Sequence, residues 1–310
     1  MAITAAPLEN IEDLESEPFP CRAYKEELER SPGGEVFWHS SPNIELIVPE
    51  DNEVSITTPS VKFWFRPDEV AYIPSYVPHQ IEAATEKVTI DAIVFDPSFV
   101  GGVKRSEITK SFVWPLITQK HLRGYKPART SKHGANMHEA ALSCFSSVSE
   151  EPPGYELAAS IYASQFTQEL YLANEKRIRR TATIPISDRN VYEIMRLISA
   201  SYRQKTTINS IAAKINLTPR QTIRLFKNAT GITPLQFLLA KRLRSAALEL
   251  RSGTRKSVTA IAKENGFDSP SYFILQFKKY FGMTPQTMRE KSNITKWTDN
   301  PLSAFENFFG

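Results

Sequence analysis

The sequence predicts an α+β, multidomain chain: a β-sandwich or small β-barrel with a helical pair, followed by an all-α domain carrying two helix-turn-helix units. Three observations predict it. Short apolar runs alternating with polar residues crowd the first hundred residues, and from residue 188 onward every periodic segment is helical. Within the helical part a pattern recurs 51 positions apart: Pro219, Phe226-Lys227 and Gly231-Ile232-Thr233-Pro234, then Pro270, Phe277-Lys278 and Gly282-Met283-Thr284-Pro285. Each copy follows a short helix that ends in a tight turn. Two such units on one piece of chain can enter two successive major grooves of duplex DNA.

Residues 1–34 read as loosely ordered and end in the turn signal Ser31-Pro32-Gly33-Gly34. Residues 35–133 hold the strands. The runs are 44–48, 54–56, 61–65, 70–73 and 88–95, separated by Pro, Gly, Asn and Asp, with loops and short helices expected from about 105 to 133. Residues 134–177 form a helical pair. Met137, Ala140, Ala141, Cys144 and Val148 share one side of the first helix; Leu157, Ile161, Phe166 and Leu170 recur along the second; Pro152-Pro153-Gly154 turns between them. The pair is expected to cover the sheet or to make a dimer contact. Residues 178–187 read as an exposed linker, 188–291 as the helical domain, and 292–310 as a tail rich in aromatic residues. In the helical domain Asp188, Thr207, Thr218, Thr233 and Ser257 are the expected helix N-caps, with Pro219 and Pro234 at the first helical position.

Charge is divided along the chain in the same way. Residues 1–100 carry 6 Lys+Arg against 19 Asp+Glu, whereas residues 188–296 carry 20 against 6. An acidic module ahead of a basic one suits a polyanion-binding domain joined to a part that does not touch nucleic acid. The 310 residues suffice for two cores. No apolar run is long enough to span a membrane, the acidic start does not resemble a signal peptide, and Cys21 and Cys144 are too few for a disulfide framework. A cytoplasmic protein is expected.

A helix-turn-helix needs a small residue where its helices approach, a role for Ala212 and Ala262, and apolar residues pointing back from the reading helix, a role for Leu225, Phe226, Phe273 and Phe277. The free face of the first reading helix offers Arg220, Gln221 and Arg224. The two arginines, four apart, share one side; Arg reads guanine O6/N7 in bidentate fashion and Gln can read adenine. The second reading helix, which starts at Ser269, offers Ser271, Tyr272, Ile274, Leu275 and Gln276. Its apolar members meet thymine methyl groups, or that copy chiefly positions the protein. Lys227, Lys278, Lys279 and the helix start at Thr218 are placed for phosphates. Arg242, on the long connecting helix, is expected to be structural.

Over about residues 188–291 the chain resembles the AraC/XylS family of bacterial transcription regulators, through Ile211-Ala212, Leu225-Phe226-Lys227, Gly231-Ile232-Thr233-Pro234, Ile261-Ala262, Gly266-Phe267, Ser271-Tyr272-Phe273, Phe277-Lys278-Lys279 and Phe281-Gly282-Met283-Thr284-Pro285. The resemblance implies two helix-turn-helix units bridged by a long helix, asymmetric promoter half-sites, a homodimer and contact with RNA polymerase. Thr222, where the family usually has a larger apolar residue, and Leu275, where many members carry a polar reader, depart from it. The front half is similar to the cupin sensor domain common in this family, through Trp38-His39, Ile44-Glu45-Leu46-Ile47, the stretch from Tyr72 to His79 and the stretch from Val94 to Gly102. That likeness implies a small cupin-like β-barrel that holds an effector, a carbohydrate in many relatives.

In cupin enzymes several His and a Glu hold a metal. Here only His39, Glu45 and His79 fall in corresponding stretches, and Phe37 stands where a His-x-His pair would begin. No metal and no cofactor are expected. His39, Glu45 and His79 are instead expected as polar groups of an effector pocket, with Trp38, Trp64 and Tyr72 as aromatic faces. No Gly-x-Ser-x-Gly, phosphate-binding Gly-rich loop or paired-Cys site occurs, so an enzyme is not expected. The expected function is a promoter-binding transcription regulator, an activator, responding to a small molecule; the alternative is a metal-dependent cupin enzyme fused to a DNA-binding domain.

Overall fold

Among the described residues, short segments, most of them alternating apolar and polar residues, form eight strands in two antiparallel four-stranded sheets. In the computed structural model, which describes residues 14–15, 17–29, 35–102, 106–178, 186–252 and 254–292, the strands are β1 (Cys21–Glu29), β2 (Val36–His39), β3 (Ile44–Pro49), β4 (Val54–Thr57), β5 (Lys62–Phe65), β6 (Ala71–Ile73), β7 (His79–Ala83) and β8 (Lys87–Phe95). One sheet has the order β1-β8-β3-β6 and the other β2-β7-β4-β5. The chain divides into two compact units, residues 1–29 with 36–192 and residues 30–35 with 193–310.

Strand parity sorts the first unit into layers. On β3 and β6, Ile44, Leu46, Val48 and Tyr72 join a core with the helices, whereas Ile47, Ala71 and Ile73 join a second core with Val36, Val54, Ile56, Phe65 and Ile81 of the other sheet. The helical layer consists of α3 (Lys132–Glu150) and α4 (Tyr155–Asn174), preceded by α1 (Ser98–Gly101), a π-helical turn at Thr109–Val113 and α2 (Trp114–Thr118). Met137, Ala140, Ala141 and Cys144 of α3 and Ala159, Ala163, Phe166 and Leu170 of α4 are buried against the sheet. Leu157 and Ile161, expected on the same face as Phe166, are exposed instead. Cys21 and Cys144 are buried free thiols, and burial pushes the Cys21 thiol well above its ordinary value.

Three strands differ from the sequence reading. β1 lies within the segment expected to be loosely ordered, yet it pairs with β8 along its whole length. It is an edge strand, so the exposed Lys25 dilutes the apolar pattern set by Cys21, Ala23, Tyr24 and Leu28. β2 is short and apolar almost throughout, and β7 is short and polar, so neither stands out by alternation.

From residue 186 onward the described chain is helical, and residues 193 onward belong to the second unit. α5 (Ile186–Ser201) begins two residues before Asp188, whose side chain lies outside the described residues. It is followed by α6 (Ile208–Lys214), α7 (Pro219–Thr230), α8 (Pro234–Arg251), α9 (Val258–Glu264), α10 (Pro270–Phe281) and α11 (Pro285–Ser292). Thr207, Thr218, Thr233, Ser257 and Ser269 each cap the following helix through the side-chain oxygen. α8 touches α7, α9, α10 and α11 and is the spine that joins the two repeats. Most of the linker and the tail, residues 179–185 and 293–310, lie outside the described residues. Among the described residues no helix is long and apolar enough to cross a membrane.

Candidate nucleic-acid interface and barrel interior

Each helix-turn-helix is held by the same backbone device. In the first, Leu217 N–H donates to Ala212 O at 3.0 Å and Asn216 takes the left-handed conformation (φ +56°). In the second, Phe267 N–H donates to Ala262 O at 3.0 Å and Gly266 takes it (φ +82°). Ala212 and Ala262 are buried, as the helix approach requires. α7 turns Thr222, Phe226 and Thr230 inward and leaves Arg220, Gln221, Arg224 and Lys227 exposed. Thr222 meets its burial by donating Oγ1–H to Thr218 O at 3.0 Å, which is how a polar residue stands in that core position.

α10 turns Phe273, Phe277, Tyr280 and Phe281 inward, in a chain of ring contacts running from Phe267 to Phe281. Ser269, Ser271, Tyr272, Ile274, Leu275, Lys278 and Lys279 are exposed, and Gln276 is half-buried. The residues expected to face DNA thus all lie on α7, on α10 or at their N-caps. Thr218, Gln221 and Ser269 among them have prior engagements. Gln221 Oε1 accepts from Thr218 N–H at 2.9 Å and from Thr218 Oγ1–H at 2.8 Å, completing a reciprocal cap; its carbonyl oxygen is committed and its amide donors remain for DNA. Ser269 Oγ accepts from Tyr272 N–H at 3.3 Å.

Arg242 is structural, although its partners are carbonyls and not an acid. Its Nε donates to Tyr202 O at 2.6 Å and its Nη2 to Gln204 O at 2.8 Å, with the guanidinium 6.0 Å from the Phe267 ring centroid. It ties the end of α5 to the second turn.

In the first unit, His39, Glu45 and His79 converge between the two sheets. His39 and His79 face each other as a register pair of β2 and β7, and Glu45 projects from β3 of the opposite sheet. All three are buried. Glu45 Oε2 lies 3.3 Å from His39 Nε2 and 3.1 Å from His79 Nε2, and Ser41 Oγ–H donates to Glu45 Oε1 at 3.0 Å. Burial alone would push the Glu45 carboxyl up; His79 and His39 beside it hold it well below the usual carboxylate range. Burial, reinforced by the adjacent His79, pushes the His39 imidazole down against the opposing pull of Glu45. A ligand atom from each of the three lies within 4.8 Å of the other two, so this is where a metal could be held.

The three aromatic residues expected beside this cluster do not all gather there. Tyr72 is on the opposite face of β6, packed on Phe166 of α4, with its buried hydroxyl unpartnered. Trp64 is 45% exposed on edge strand β5, under Lys62. Trp38 is buried next to His39 in β2. What sequence reasoning missed is a cleft of about 770 Å³ in the same unit, lined among others by Pro42, Ser75, Tyr76, Asp96, Trp114 and Arg189. The buried Ser75 hydroxyl has no hydrogen-bond partner, and Tyr76 is held at φ +65°.

A protein with two helix-turn-helix units, each with a capped second helix that buries one face and exposes the other, has the form of a double helix-turn-helix DNA-binding protein. Residues 211–291 match the family model described as a helix-turn-helix domain. The Transposon Tn10 TetD protein of Escherichia coli is 34% identical over 99 residues, covering 32% of this chain and 71% of that protein. The melibiose operon regulatory protein of Escherichia coli K12 is 33% identical over 108 residues, 35% of either chain, so the match spans about a third of that relative's length. A crystal structure of ToxT from Vibrio cholerae aligns over 87% of this chain and 98% of its own with a TM-score of 0.53 at 10% identity, a likeness of fold. The chain belongs to the AraC/XylS family of transcription regulators.

Proposed function

We propose that this chain is a sequence-specific promoter-binding regulator, an activator, whose first unit receives a small-molecule effector. The observation that carries the reading is the paired α7 and α10, each with one face buried and its other face open. Arg220 and Arg224 supply bidentate guanine readers, Gln221 supplies amide donors, and Ile274 and Leu275 offer apolar contact to thymine methyl groups. Lys227, Lys278 and Lys279 supply phosphate contacts.

For the effector, a carbohydrate suits the cleft. Tyr76 and Trp114 offer aromatic faces, and Ser75, Asp96 and Arg189 offer hydrogen-bonding groups. The melibiose operon regulator, a relative in its DNA-binding part, is in keeping with a sugar signal. A homodimer is supported by Leu157, Ile161 and Leu172, which leave an apolar stripe on α4 exposed to solvent. Effector binding acts by differential affinity for two arrangements of the dimer. Contact with RNA polymerase completes the activator reading.

The test is selection of bound duplexes from a random pool with the full-length protein, followed by affinity measurements at several salt concentrations. Two short conserved blocks about one helical turn apart are expected, with a slope of log K against log salt of about −3 if Lys227, Lys278 and Lys279 each meet a phosphate. No enriched sequence, together with a slope near zero, would overturn the reading.

A further inference from the structure

The polar cluster between the sheets turns three ligand atoms toward one point. His39 Nδ1 lies 2.9 Å from Phe37 O, and His79 Nδ1 lies 3.0 Å from Val77 O. A carbonyl oxygen only accepts, so each Nδ1 carries a ring hydrogen and each Nε2 is the ring atom left to face Glu45. The two Nε2 atoms and Glu45 Oε2 are then three ligand atoms turned on one point, with Oε2 3.3 and 3.1 Å from the two nitrogens. Both rings would have to be imidazolium to donate to Oε2 together, and their centroids are only 4.0 Å apart. One divalent ion supplies the same charge without that repulsion.

The spacing points the same way. Metal bonds of about 2.0–2.2 Å place ligand atoms roughly 3.0 Å apart at right angles and about 3.3–3.6 Å apart at tetrahedral angles. Both separations from Glu45 Oε2 fall at or within those limits. The outer partners are also those of a metal site. Backbone carbonyls fix both ring tautomers, and Ser41 holds Glu45 Oε1 aside so that Oε2 faces the rings.

We propose that His39 Nε2, His79 Nε2 and Glu45 Oε2 form a three-ligand site for a divalent first-row transition ion, Zn²⁺ or Fe²⁺, that ties β2 and β7 of one sheet to β3 of the other. Two imidazoles and one carboxylate favour such an ion over Mg²⁺ or Ca²⁺, which take oxygen ligands. The donor set leaves a coordination position open, where water or a small anion completes the shell. The site is distinct from the cleft at Tyr76 and Trp114, and the inference stands whether or not that cleft receives an effector.

The test uses the full-length protein, stripped with a chelator and titrated separately with Zn²⁺, anaerobic Fe²⁺ and Co²⁺, with Mg²⁺ as the control. One equivalent per chain is expected by metal analysis, with visible d–d absorption for Co²⁺ and a melting temperature that falls on stripping and recovers on reloading. Glu45→Gln keeps the shape and brings an amide N–H to the Nε2 lone pairs. It is expected to fold without metal and to bind at least about 100-fold more weakly, while Ser41→Ala, which frees Oε1, weakens binding about tenfold. Folded wild-type protein that takes up less than about 0.1 equivalent of each transition ion in excess would overturn the proposal. So would Glu45→Gln binding as tightly as the parent, because the metal would then sit elsewhere.

Discussion

The two helix-turn-helix units share a scaffold and differ in what they present. Both turns place a left-handed residue four positions after the buried alanine and close with the same backbone hydrogen bond. Beyond that they diverge. α7 exposes a cationic face of Arg220, Arg224 and Lys227; α10 exposes Tyr272, Ile274 and Leu275 ahead of two lysines. Leu275 is 64% exposed, the largest value for an apolar side chain on either helix. The scaffold is fixed by turn geometry and by the buried face, so the outer face is free to vary. On the proposed function, the first repeat would serve charged, directional recognition and the second shape and apolar contact.

The sharpest test of the shared scaffold is at the two turns. A Cβ on Gly266 would lie 2.7 Å from Tyr202 O and 2.9 Å from Arg242 Nε, the two atoms joined by the Arg242 hydrogen bond, and the backbone there is already left-handed. Gly266→Ala is therefore expected to cost about 3–4 kcal/mol by combining left-handed strain with the loss of that bond. Asn216 adopts the same conformation with a side chain, so Asn216→Gly should change stability by less than about 1 kcal/mol. Urea unfolding of the full-length variants measures both. Equal costs at the two positions would mean that the turns are not built by the same rule.

The difference in outer faces is tested by binding. Arg224→Ala is expected to weaken affinity for a selected site by about 1–3 kcal/mol and to relax preference at one base pair. Leu275→Ala should cost less than about 1 kcal/mol, confined to sites with thymine at the contacted position. Titrations against single-base variants of the site separate the two. An Arg224→Ala loss that is uniform across sequences would reassign that residue to phosphate contact.

The helical unit was legible because its signals are local. A Thr before Pro219 or Pro234 and a Gly after the last helical turn act over three or four residues, and the structure keeps them at the expected positions. The two-sheet unit was less legible because parity depends on register, and register is set by partners distant in sequence. Val36 and His39 both face the interior although an odd number of positions separates them; the irregularity in the β2–β7 pairing between them makes this possible, and no local signal marks it. One position likewise decides Tyr72, which points to the helices while Ala71 and Ile73 point inside. Edge placement hid β1 and put Trp64 in solvent. The His39, Glu45 and His79 set was readable as residues, but not as three ligand atoms turned on one point, since the Phe37 and Val77 carbonyls that take the Nδ1 hydrogens are what aim both Nε2 atoms at Glu45.

The smallest expected difference lies at the helix caps. Thr218 and Gln221 cap each other: Gln221 N–H donates to Thr218 Oγ1 at 3.2 Å, and Gln221 Oε1 accepts in return. In the second unit the matching position is Tyr272, whose side chain has no acceptor suited to a return bond, so Ser269 caps alone. Thr218→Ala should cost about 1–2 kcal/mol and Ser269→Ala about 0.5–1 kcal/mol. The reciprocal bond should also appear as coupling: Thr218→Ala with Gln221→Ala should fall short of the sum of the single costs by about 0.5–1 kcal/mol. Additive costs in that cycle would free Gln221 Oε1 from the cap and return it to the bases, and the first unit would then read adenine through both ends of its amide.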